Sequence, residues 1–238
     1  MKNLQETWGD LKKYFEVEKA LELGFSNGKY TAILADYAKS VTGIDVSKEF
    51  LDIAKENLKD YNNIELLIMD ARELKFKDKS FNVLLTTSFH EFDLSNEKYS
   101  VDLELKRDML KEMIRVSDTI IFVEPTENAV TNELFKVFNP NEQHSDRIKQ
   151  SNNLIRKIMS ENNYTLIECG LTFNRDYFNS QEELENEMLD WWADIKIPVT
   201  DEERRTMITQ IDEILTKAGM LKELQVTEEI GYMVWRRQ

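Results

Sequence analysis

A chain of 238 residues with 41% hydrophobic and 10% aromatic side chains can bury a sizeable core, and its seven glycines and three prolines are too few for a disordered or low-complexity protein. Acidic residues outnumber basic ones by 45 to 31, and the formal charge is −14. Because nucleic-acid binders gain affinity from basic side chains, we expect no nucleic-acid partner.

The chain has one cysteine, Cys169, in the apolar run YTLIECGLTF. A single thiol forms no intramolecular disulfide and no thiolate metal cluster, and we expect Cys169 to be a small buried side chain. The amino terminus has no apolar signal core, and no window reaches membrane-spanning length. The sequence therefore predicts a cytoplasmic protein with no membrane partner.

Short apolar runs alternate with amphipathic segments along the chain. Strands are predicted at residues 19–23, 40–46, 64–69, 80–89, 118–125, 164–173 and 224–238. Helices are predicted near 28–39, after the N-cap residue Ser47, over 102–116, and at 132–138 and 147–162. Two more helical stretches, 180–195 and 201–219, lie between the last two strands.

Strands separated by helices, with no hairpin signals between the first five, favour parallel crossover connections. We therefore predict an α/β fold with a doubly wound, seven-stranded, mostly parallel sheet and a helical insertion before the last strand. The predicted organisation is a single domain with an amino-terminal helix or lid (1–18), a core (19–173), a helical cap (174–223) and the last strand (224–238). Ligands of such sheets bind beyond the carboxyl ends of the strands.

The segment GFSNG, Gly24 to Gly28, follows the first predicted strand and fits two interpretations. As G-x-S-x-G it has the form of a serine hydrolase nucleophile turn, which needs an earlier strand and loop for its oxyanion hole and a late histidine. Only 23 residues precede Gly24, and neither His90 nor His144 follows a late strand. The hydrolase interpretation is therefore disfavoured.

As a glycine-rich turn, the same segment would hold a nucleoside cofactor. Asp45 ends the next strand, 21 residues after Gly24, where a carboxylate can accept hydrogen bonds from ribose hydroxyls. The helix after the turn adds unpaired N–H groups. The dinucleotide pattern G-x-G-x-x-G is not met, whereas the acid Glu22 followed by Gly24, Ser26 and Gly28 fits a G-x-G-x-G turn with its middle glycine replaced.

With these motifs the chain resembles the class I S-adenosylmethionine-dependent methyltransferases from about Lys19 to Arg237. The resemblance rests on ALELGFSNGKYT, GIDVSKEFLDIAKEN and IMDARELKFKDKSFNVLLTTSFHEF. Two residues depart from the family pattern: Ser26 stands at the central glycine, and Phe25 stands where a small residue is usual.

The resemblance implies S-adenosylmethionine as methyl donor and S-adenosylhomocysteine as product. It assigns the methionine ammonium to Glu22, the ribose diol to Asp45 and the adenine amino group to Asp70. The remaining implied cofactor contacts are Gly24, Phe25, Ser26 and Gly28 in the turn, Val46 and Ala71 at the adenine, and Thr86 and Thr87 near the sulfonium.

Methyl transfer by in-line displacement needs an aligned acceptor, and a protonated acceptor can need a general base. His90 and Glu91 after the fourth strand and Glu124 after the fifth are the candidate catalytic residues. His90 is preferred because an ordinary imidazole pKa suits proton removal near neutrality. Two distant histidines are weak support for a metal, so we expect none.

The candidate acceptor contacts are His144 and three aromatic residues of the insertion. Aromatic faces in an acidic protein would favour a cationic acceptor. The aromatic candidates are Tyr177, Trp191 and Trp192.

The sequence thus predicts a methyltransferase acting on a small-molecule acceptor, as a monomer or homodimer. Two alternatives stay open. The large predicted cap could recognise a polypeptide, making this a protein-modifying methyltransferase. The departures at Phe25 and Ser26 would also be consistent with a non-catalytic protein that keeps cofactor affinity and regulates a partner.

Overall fold

The computed structural model describes residues 8–92, 102–140, 144–190 and 196–238, apart from the side chain of Asn174. Its centre is a seven-stranded sheet of order β3-β2-β1-β4-β5-β7-β6. The first five strands are parallel, and β7 runs antiparallel to both β5 and β6. The strands are β1 Lys19–Leu23, β2 Ser40–Asp45, β3 Ile64–Ile68, β4 Val83–Thr87, β5 Thr119–Pro125, β6 Tyr164–Tyr177 and β7 Gln225–Arg237. The predicted α/β fold class is confirmed.

Helices lie in the connections between successive strands, except in the connection from β3 to β4, and cover both faces of the sheet. They are α1 Lys29–Ala35, α2 Lys48–Asn57, α3 Leu103–Val116, α4 Val130–Phe138, α5 His144–Glu161, α6 Gln181–Asp190 and α7 Asp201–Lys217. The hydroxyl of Ser47 accepts a hydrogen bond from the backbone N–H of Phe50, so Ser47 caps α2 as predicted. Asp102 caps α3 in the same way.

Side chains of the central strands alternate between two hydrophobic cores. On β4, Leu84 belongs to the first core, which is completed mainly by α3 and α5. Its neighbours Val83 and Leu85 belong to the second core, which contains α1 and the amino-terminal segment. Both faces are buried, which explains why these strands are continuous apolar runs.

The described amino-terminal segment, residues 8–18, is part of the second core. Its only regular element is a 3-10 turn, Lys12–Tyr14, where the sequence predicts a helix or lid. Trp8, Leu11 and Phe15 are at most 1% exposed, because their large side chains pack against α1 and the sheet. The Tyr14 hydroxyl also donates to Glu168 on β6, at 2.6 Å.

Strand β6 continues to Tyr177, four residues past its predicted end, because it pairs with β7 along its whole length. Together with β3, it is one of the two edge strands of the sheet. Cys169 lies on this edge strand and is exposed, so the expectation of a buried thiol is wrong. An apolar run on an edge strand leaves one of its faces uncovered.

Helices α6 and α7, from the predicted insertion, pack against α4 in a third hydrophobic cluster. Leu184, Met188, Ile211 and Leu215 are fully buried there, and Leu134 of α4 joins them. This cluster fixes the insertion beyond the carboxyl end of β5. Among the described helices, none is both long and apolar enough to cross a membrane.

The strand order changes direction between β1 and β4. The connections after these two strands leave on opposite sides, which opens a crevice at their carboxyl ends. The turn after β1, the end of β2 and the turn after β4 therefore meet at one edge of the sheet. This is the edge to which the sequence assigns the cofactor.

Candidate functional site

The glycine turn after β1 has the left-handed backbone that its sequence predicts. Gly24 has φ +78° and Gly28 has φ +86°. A Cβ atom on Gly24 would lie 2.7 Å from Cζ of Phe92, so an aromatic ring already fills the space next to this glycine. The Gly24 N–H donates to the carbonyl of Ile44 at 2.8 Å, which ties the turn to β2.

Asp45 joins the glycine turn to the start of α2. One carboxylate oxygen accepts from the backbone N–H of Ser26 at 3.0 Å, and the other accepts from the N–H of Ser47 at 2.9 Å. Ser26 has φ +46°, and this hydrogen bond supports its left-handed conformation. Each oxygen retains a lone pair, so the carboxylate can also accept from a vicinal diol.

Glu22 is fully buried behind the turn. One carboxyl oxygen accepts a hydrogen bond from the Thr31 hydroxyl of α1, and the other has no partner among the described residues. Burial, with a smaller contribution from Asp45, raises the pKa of Glu22 to about 8. The side chain is therefore mostly protonated at neutral pH and offers one free polar atom.

The residues assigned to adenine lie at the ends of β2 and β3. Val46 is 70% exposed, which leaves an apolar side chain open to a flat ring. Asp70 is paired with the Arg72 side chain and also accepts from its backbone N–H at 2.8 Å. Hydrogen bonding to Arg72 lowers the pKa of Asp70. Ala71 is buried in the first core.

Three further residues assigned to the cofactor are buried or nearly so. The Phe25 ring packs under α2 against Ala54 and Leu58, so only its backbone remains at the turn. Thr86 is fully buried and its hydroxyl has no partner within the described chain, whereas Thr87 is half-buried at the end of β4.

The turn after β4 is built around the buried carboxylate of Glu124. Ser88 has φ +53° and leads into a 3-10 turn, Phe89–Glu91. Glu124 accepts from the backbone N–H of Phe89 at 2.6 Å and of His90 at 3.3 Å. From the other side, the buried Lys106 ammonium donates to the carbonyl of Phe89 at 2.5 Å. The candidate base Glu124 therefore holds the turn and His90 in place.

His90 and His144 are buried and face each other, although 54 positions separate them. His90 Nδ1 is 2.5 Å from Glu124, its Nε2 is 2.9 Å from Nε2 of His144, and Nδ1 of His144 is 2.7 Å from Oδ1 of Asn132. The Asn132 amide donates its N–H groups to the carbonyls of Thr126 and Glu127, so its oxygen must accept from His144. His144 then carries its proton on Nδ1, and the Nε2–H group of His90 donates to Nε2 of His144.

The charges in this cluster follow from that arrangement. Burial alone would lower the pKa of His90, but the Glu124 and Glu91 carboxylates raise it to about 9. Burial and the neighbouring charge of His90 lower the pKa of His144, while both histidines hold the pKa of Glu91, which is partly exposed, below its usual range. The expectation that His90 has an ordinary imidazole pKa is therefore wrong, because the two carboxylates favour the protonated ring at neutral pH. A role of His90 as general base stays a prediction.

A cavity of about 160 Å³ opens next to the two histidines. It lies between the turn after β4, the start of α4 and β7, and its lining comprises Ser88, His90, Glu91, Pro125, Thr131, His144 and Glu228. The 3-10 turn separates this cavity from the glycine turn, since its following residue, Phe92, contacts Gly24. The two regions are thus adjacent.

The extension of β6 reaches the other side of the glycine turn. Asp176 forms an ion pair with Lys29, the first residue of α1, at 3.4 Å. Tyr177, the next residue and a predicted acceptor contact, is 54% exposed and does not line the histidine cavity. Trp191 and Trp192, the other predicted aromatic contacts, lie outside the described residues.

Sequence reasoning missed four residues that shape this region. Asn132 orients His144, Phe92 covers Gly24, Lys106 holds the turn after β4, and Glu228 lines the cavity. Phe92 is the last residue of the third quoted motif, and the other three belong to no local motif. The buried lysine in an otherwise apolar helix face is the one signal that the pattern of α3 contained.

Part of this chain is similar in sequence to known methyltransferases. Residues 20–119 match the family described as "Methyltransferase domain". Demethylmenaquinone methyltransferases from Tropheryma whipplei (strain Twist) and Staphylococcus aureus (strain MRSA252) are 37% identical over 68 residues and 39% identical over 67 residues. These matches cover 29% and 27% of this chain, and only 28% of the length of either relative.

Solved structures share the fold at low identity. The YcgJ protein from Bacillus subtilis has a TM-score of 0.60 and 16% identity, over 98% of this chain and 99% of its own. The N-methyltransferase NodS from Bradyrhizobium japonicum, solved with S-adenosylhomocysteine, has a TM-score of 0.53 and 12% identity over 95% and 84%. The cyclase SpnF has a TM-score of 0.55 and 14% identity over 98% and 82%, so the fold alone does not determine the reaction.

Proposed function

We propose that this chain, which carries a class I methyltransferase domain, uses S-adenosylmethionine to methylate a small-molecule acceptor. The observation that carries the proposal is the position of Asp45, whose carboxylate joins the glycine turn to the start of α2. A nucleoside entering the crevice would find this carboxylate beside a left-handed, glycine-rich backbone. Demethylmenaquinone methylation by the matched relatives is consistent with a small acceptor.

The residues at the crevice fit this cofactor in three respects. The buried oxygen of Glu22 that lacks a partner among the described residues suits the methionine ammonium, whose positive charge would favour the ionised carboxylate. Asp45 retains acceptor capacity for the ribose hydroxyls, and the exposed Val46 side chain offers adenine an apolar contact. When bound, S-adenosylmethionine supplies a methyl group activated by a positively charged sulfur. The side chains of this chain bind and orient it and exclude water.

The acceptor is proposed to enter the histidine cavity. A volume of about 160 Å³ corresponds to roughly five water molecules, which suits the reacting end of a small molecule better than a folded polypeptide. Glu124 fixes His90, and His90 holds a proton towards His144. His144 and Glu91 are then well placed among the polar groups of the cavity to orient an acceptor hydroxyl, amine or thiol.

Titration calorimetry tests the cofactor assignment. The wild-type chain should bind S-adenosylmethionine and S-adenosylhomocysteine and should not bind NAD. Asp45→Ala should weaken binding about 100-fold, because two charge-assisted hydrogen bonds of about 1.5 kcal/mol each are lost. Asp52→Ala is the matched control, since Asp52 is an exposed carboxylate on α2.

Two outcomes would contradict the proposal. Failure of the folded wild-type chain to bind either compound would exclude the cofactor. Equal binding by wild type and a folded Asp45→Ala variant would show that the ribose is not at Asp45. If binding follows the prediction, release of S-adenosylhomocysteine with a small acceptor, rather than with a polypeptide, separates the two enzyme alternatives.

A further inference from the structure

Three potential metal ligands converge at the inner end of the histidine cavity. Nε2 of His90 and Nε2 of His144 are 2.9 Å apart. Oε1 of Glu91 is 3.6 Å from the first and 3.7 Å from the second. The three residues come from the turn after β4 and from the first turn of α5, so long-range packing and not local sequence brings them together.

The triangle formed by these atoms has the dimensions of a tetrahedral face. Its sides average about 3.4 Å, and a circle through the three atoms has a radius of about 2.0 Å. Ligands about 2.1 Å from a tetrahedral Zn²⁺ stand about 3.4 Å apart, whereas neighbouring ligands of an octahedral ion stand about 3.0 Å apart. The separation of the two nitrogens is the only short side, so the two rings would move apart by about half an ångström.

The Nδ1 atoms of both imidazoles already have hydrogen-bond partners. Nδ1 of His90 meets the carboxylate of Glu124, and Nδ1 of His144 meets the amide oxygen of Asn132. Metal-binding histidines in proteins characteristically donate their second N–H to a carboxylate or carbonyl, which orients the ring and frees the other nitrogen for the metal. Both histidines satisfy this condition, with their Nε2 atoms directed at each other.

Without a metal, a proton shared between the two histidines accounts for the short nitrogen–nitrogen distance, and the charge on His90 attracts the Glu91 carboxylate. The Glu91 oxygen is nearly equidistant from both Nε2 atoms, at 3.6 and 3.7 Å, so a cation that replaced the shared proton would meet all three ligand atoms. The cavity opens on the side of the triangle where Ser88, Thr131 and Glu228 lie. Three protein ligands with one open side are typical of a catalytic rather than a structural zinc site.

We propose that His90, His144 and Glu91 bind one Zn²⁺ ion, which keeps a fourth coordination position open to the cavity. This proposal differs from the sequence-based expectation of no metal. That expectation depended on the wide separation of the two histidines along the chain. If the proposed methyltransferase function is correct, the open position takes the acceptor oxygen or sulfur. A hydroxyl or thiol coordinated there releases its proton to solvent and becomes the nucleophile.

The experiment measures the metal alone, without cofactor. Protein freed of metal with a chelator and then dialysed is titrated with Zn²⁺ by calorimetry at pH 7. The wild-type chain should bind one ion per chain, and Glu91→Gln and His144→Gln should each bind it at least about 100-fold more weakly, since loss of an outer partner alone costs 10- to 100-fold. Glu127→Gln, an exposed carboxylate near the same strand end, should bind as wild type does.

Substitution with Co²⁺ gives a second readout of the same site. Its visible absorption distinguishes tetrahedral from octahedral coordination, and the tetrahedral spectrum should be lost in Glu91→Gln. Circular dichroism and thermal unfolding without metal show whether each variant is folded. Should His144→Gln fail to fold, the half-exposed Glu91 still provides the test.

Two results would overturn the metal site. The first is that the folded wild-type chain takes up no stoichiometric Zn²⁺. The second is that Glu91→Gln and His144→Gln bind Zn²⁺ as tightly as wild type does, which would assign the binding to surface carboxylates of this acidic chain. Because no cofactor is present in the titration, Zn²⁺ binding without S-adenosylmethionine binding would contradict the proposed function alone. The reverse outcome would contradict the metal site alone.

Discussion

The glycine turn and the histidine cluster, which comprises His90, Glu91, Glu124 and His144, occupy the same edge of the sheet but are stabilised in different ways. In the turn, backbone N–H groups donate to one partly exposed carboxylate, that of Asp45. In the cluster, buried side chains hydrogen-bond to one another around Glu124, which is 2% exposed. The turn loses these hydrogen bonds only when Asp45 is changed, whereas removing any member of a buried network leaves its partners unsatisfied. Away from Asp45 and the glycines with positive φ, the turn should therefore tolerate substitution better than the cluster.

The largest expected effect is on the cluster. Glu124→Gln removes the charge that pairs with His90 and should lower the free energy of unfolding by about 3 kcal/mol, because a buried imidazolium loses its counter-charge. Urea unfolding at pH 7 measures the change. Glu127→Gln should change stability by less than about 0.5 kcal/mol. A similarly small change in Glu124→Gln would mean that the pair is not ionised.

The second prediction concerns Glu22, whose carboxyl group is buried behind the turn. The pKa of Glu22 is raised to about 8 in the folded chain, so its contribution to stability is complete below its unfolded pKa of about 4.5 and is lost as pH rises through 8. Between pH 5 and 7 the loss is about 3 kcal/mol. Glu22→Gln should remove this dependence.

Urea unfolding at pH 5, 6, 7 and 8 on wild type and Glu22→Gln gives the comparison. The difference between the two proteins should grow in favour of the variant as pH rises. A difference that stays constant over this range would show that Glu22 keeps an ordinary pKa and that burial does not set its charge.

The third prediction separates two constraints on the turn. Gly24→Ala should cost about 2 kcal/mol, part from the positive φ and part from contact between the new Cβ and Phe92. Gly219→Ala is a matched control, because Gly219 has φ +76° and a Cβ added there would meet no atom within 4 Å, and it should cost only about 1 kcal/mol. Equal costs at the two positions would remove Phe92 from the explanation.

The smallest effect is expected at an exposed side chain of the turn region. Val46→Ser should weaken S-adenosylmethionine binding about fivefold, since roughly 1 kcal/mol of apolar contact with adenine is lost, and should leave stability unchanged. Val199→Ser, at an 86% exposed position outside this region, should affect neither. Unchanged affinity in Val46→Ser would place the adenine elsewhere.

The two regions also differ in how far the sequence predicts them. Glu22, Gly24 and Asp45 stand in a strand–turn–helix–strand order that dictates their proximity, because parallel neighbouring strands end at the same edge. Their positions followed from local patterns. Asp45 additionally accepts from the Ser26 N–H, a contact that depends on the left-handed backbone at Ser26 and that no pattern specifies.

The cluster depends on packing between distant elements. His144 reaches His90 only because α5 packs behind the turn after β4, and Asn132 fixes its ring from α4. Likewise, the exposure of Cys169 depends on β6 being an edge strand, and the burial of Trp8 depends on α1. Periodicity reveals which face of an element is apolar but not which neighbour covers it. The sequence pattern therefore could not predict a site whose residues come from three separate elements.

A crystal structure of the chain with S-adenosylhomocysteine tests most directly whether the glycine turn and the histidine cavity form one site. The ribose hydroxyls should lie on Asp45, the amino group should lie towards Glu22, and the sulfur should face the turn Phe89–Glu91 beside the cavity. A ligand bound elsewhere, or one whose sulfur faces away from His90 and His144, would contradict the proposal that the two regions act on the same methyl group.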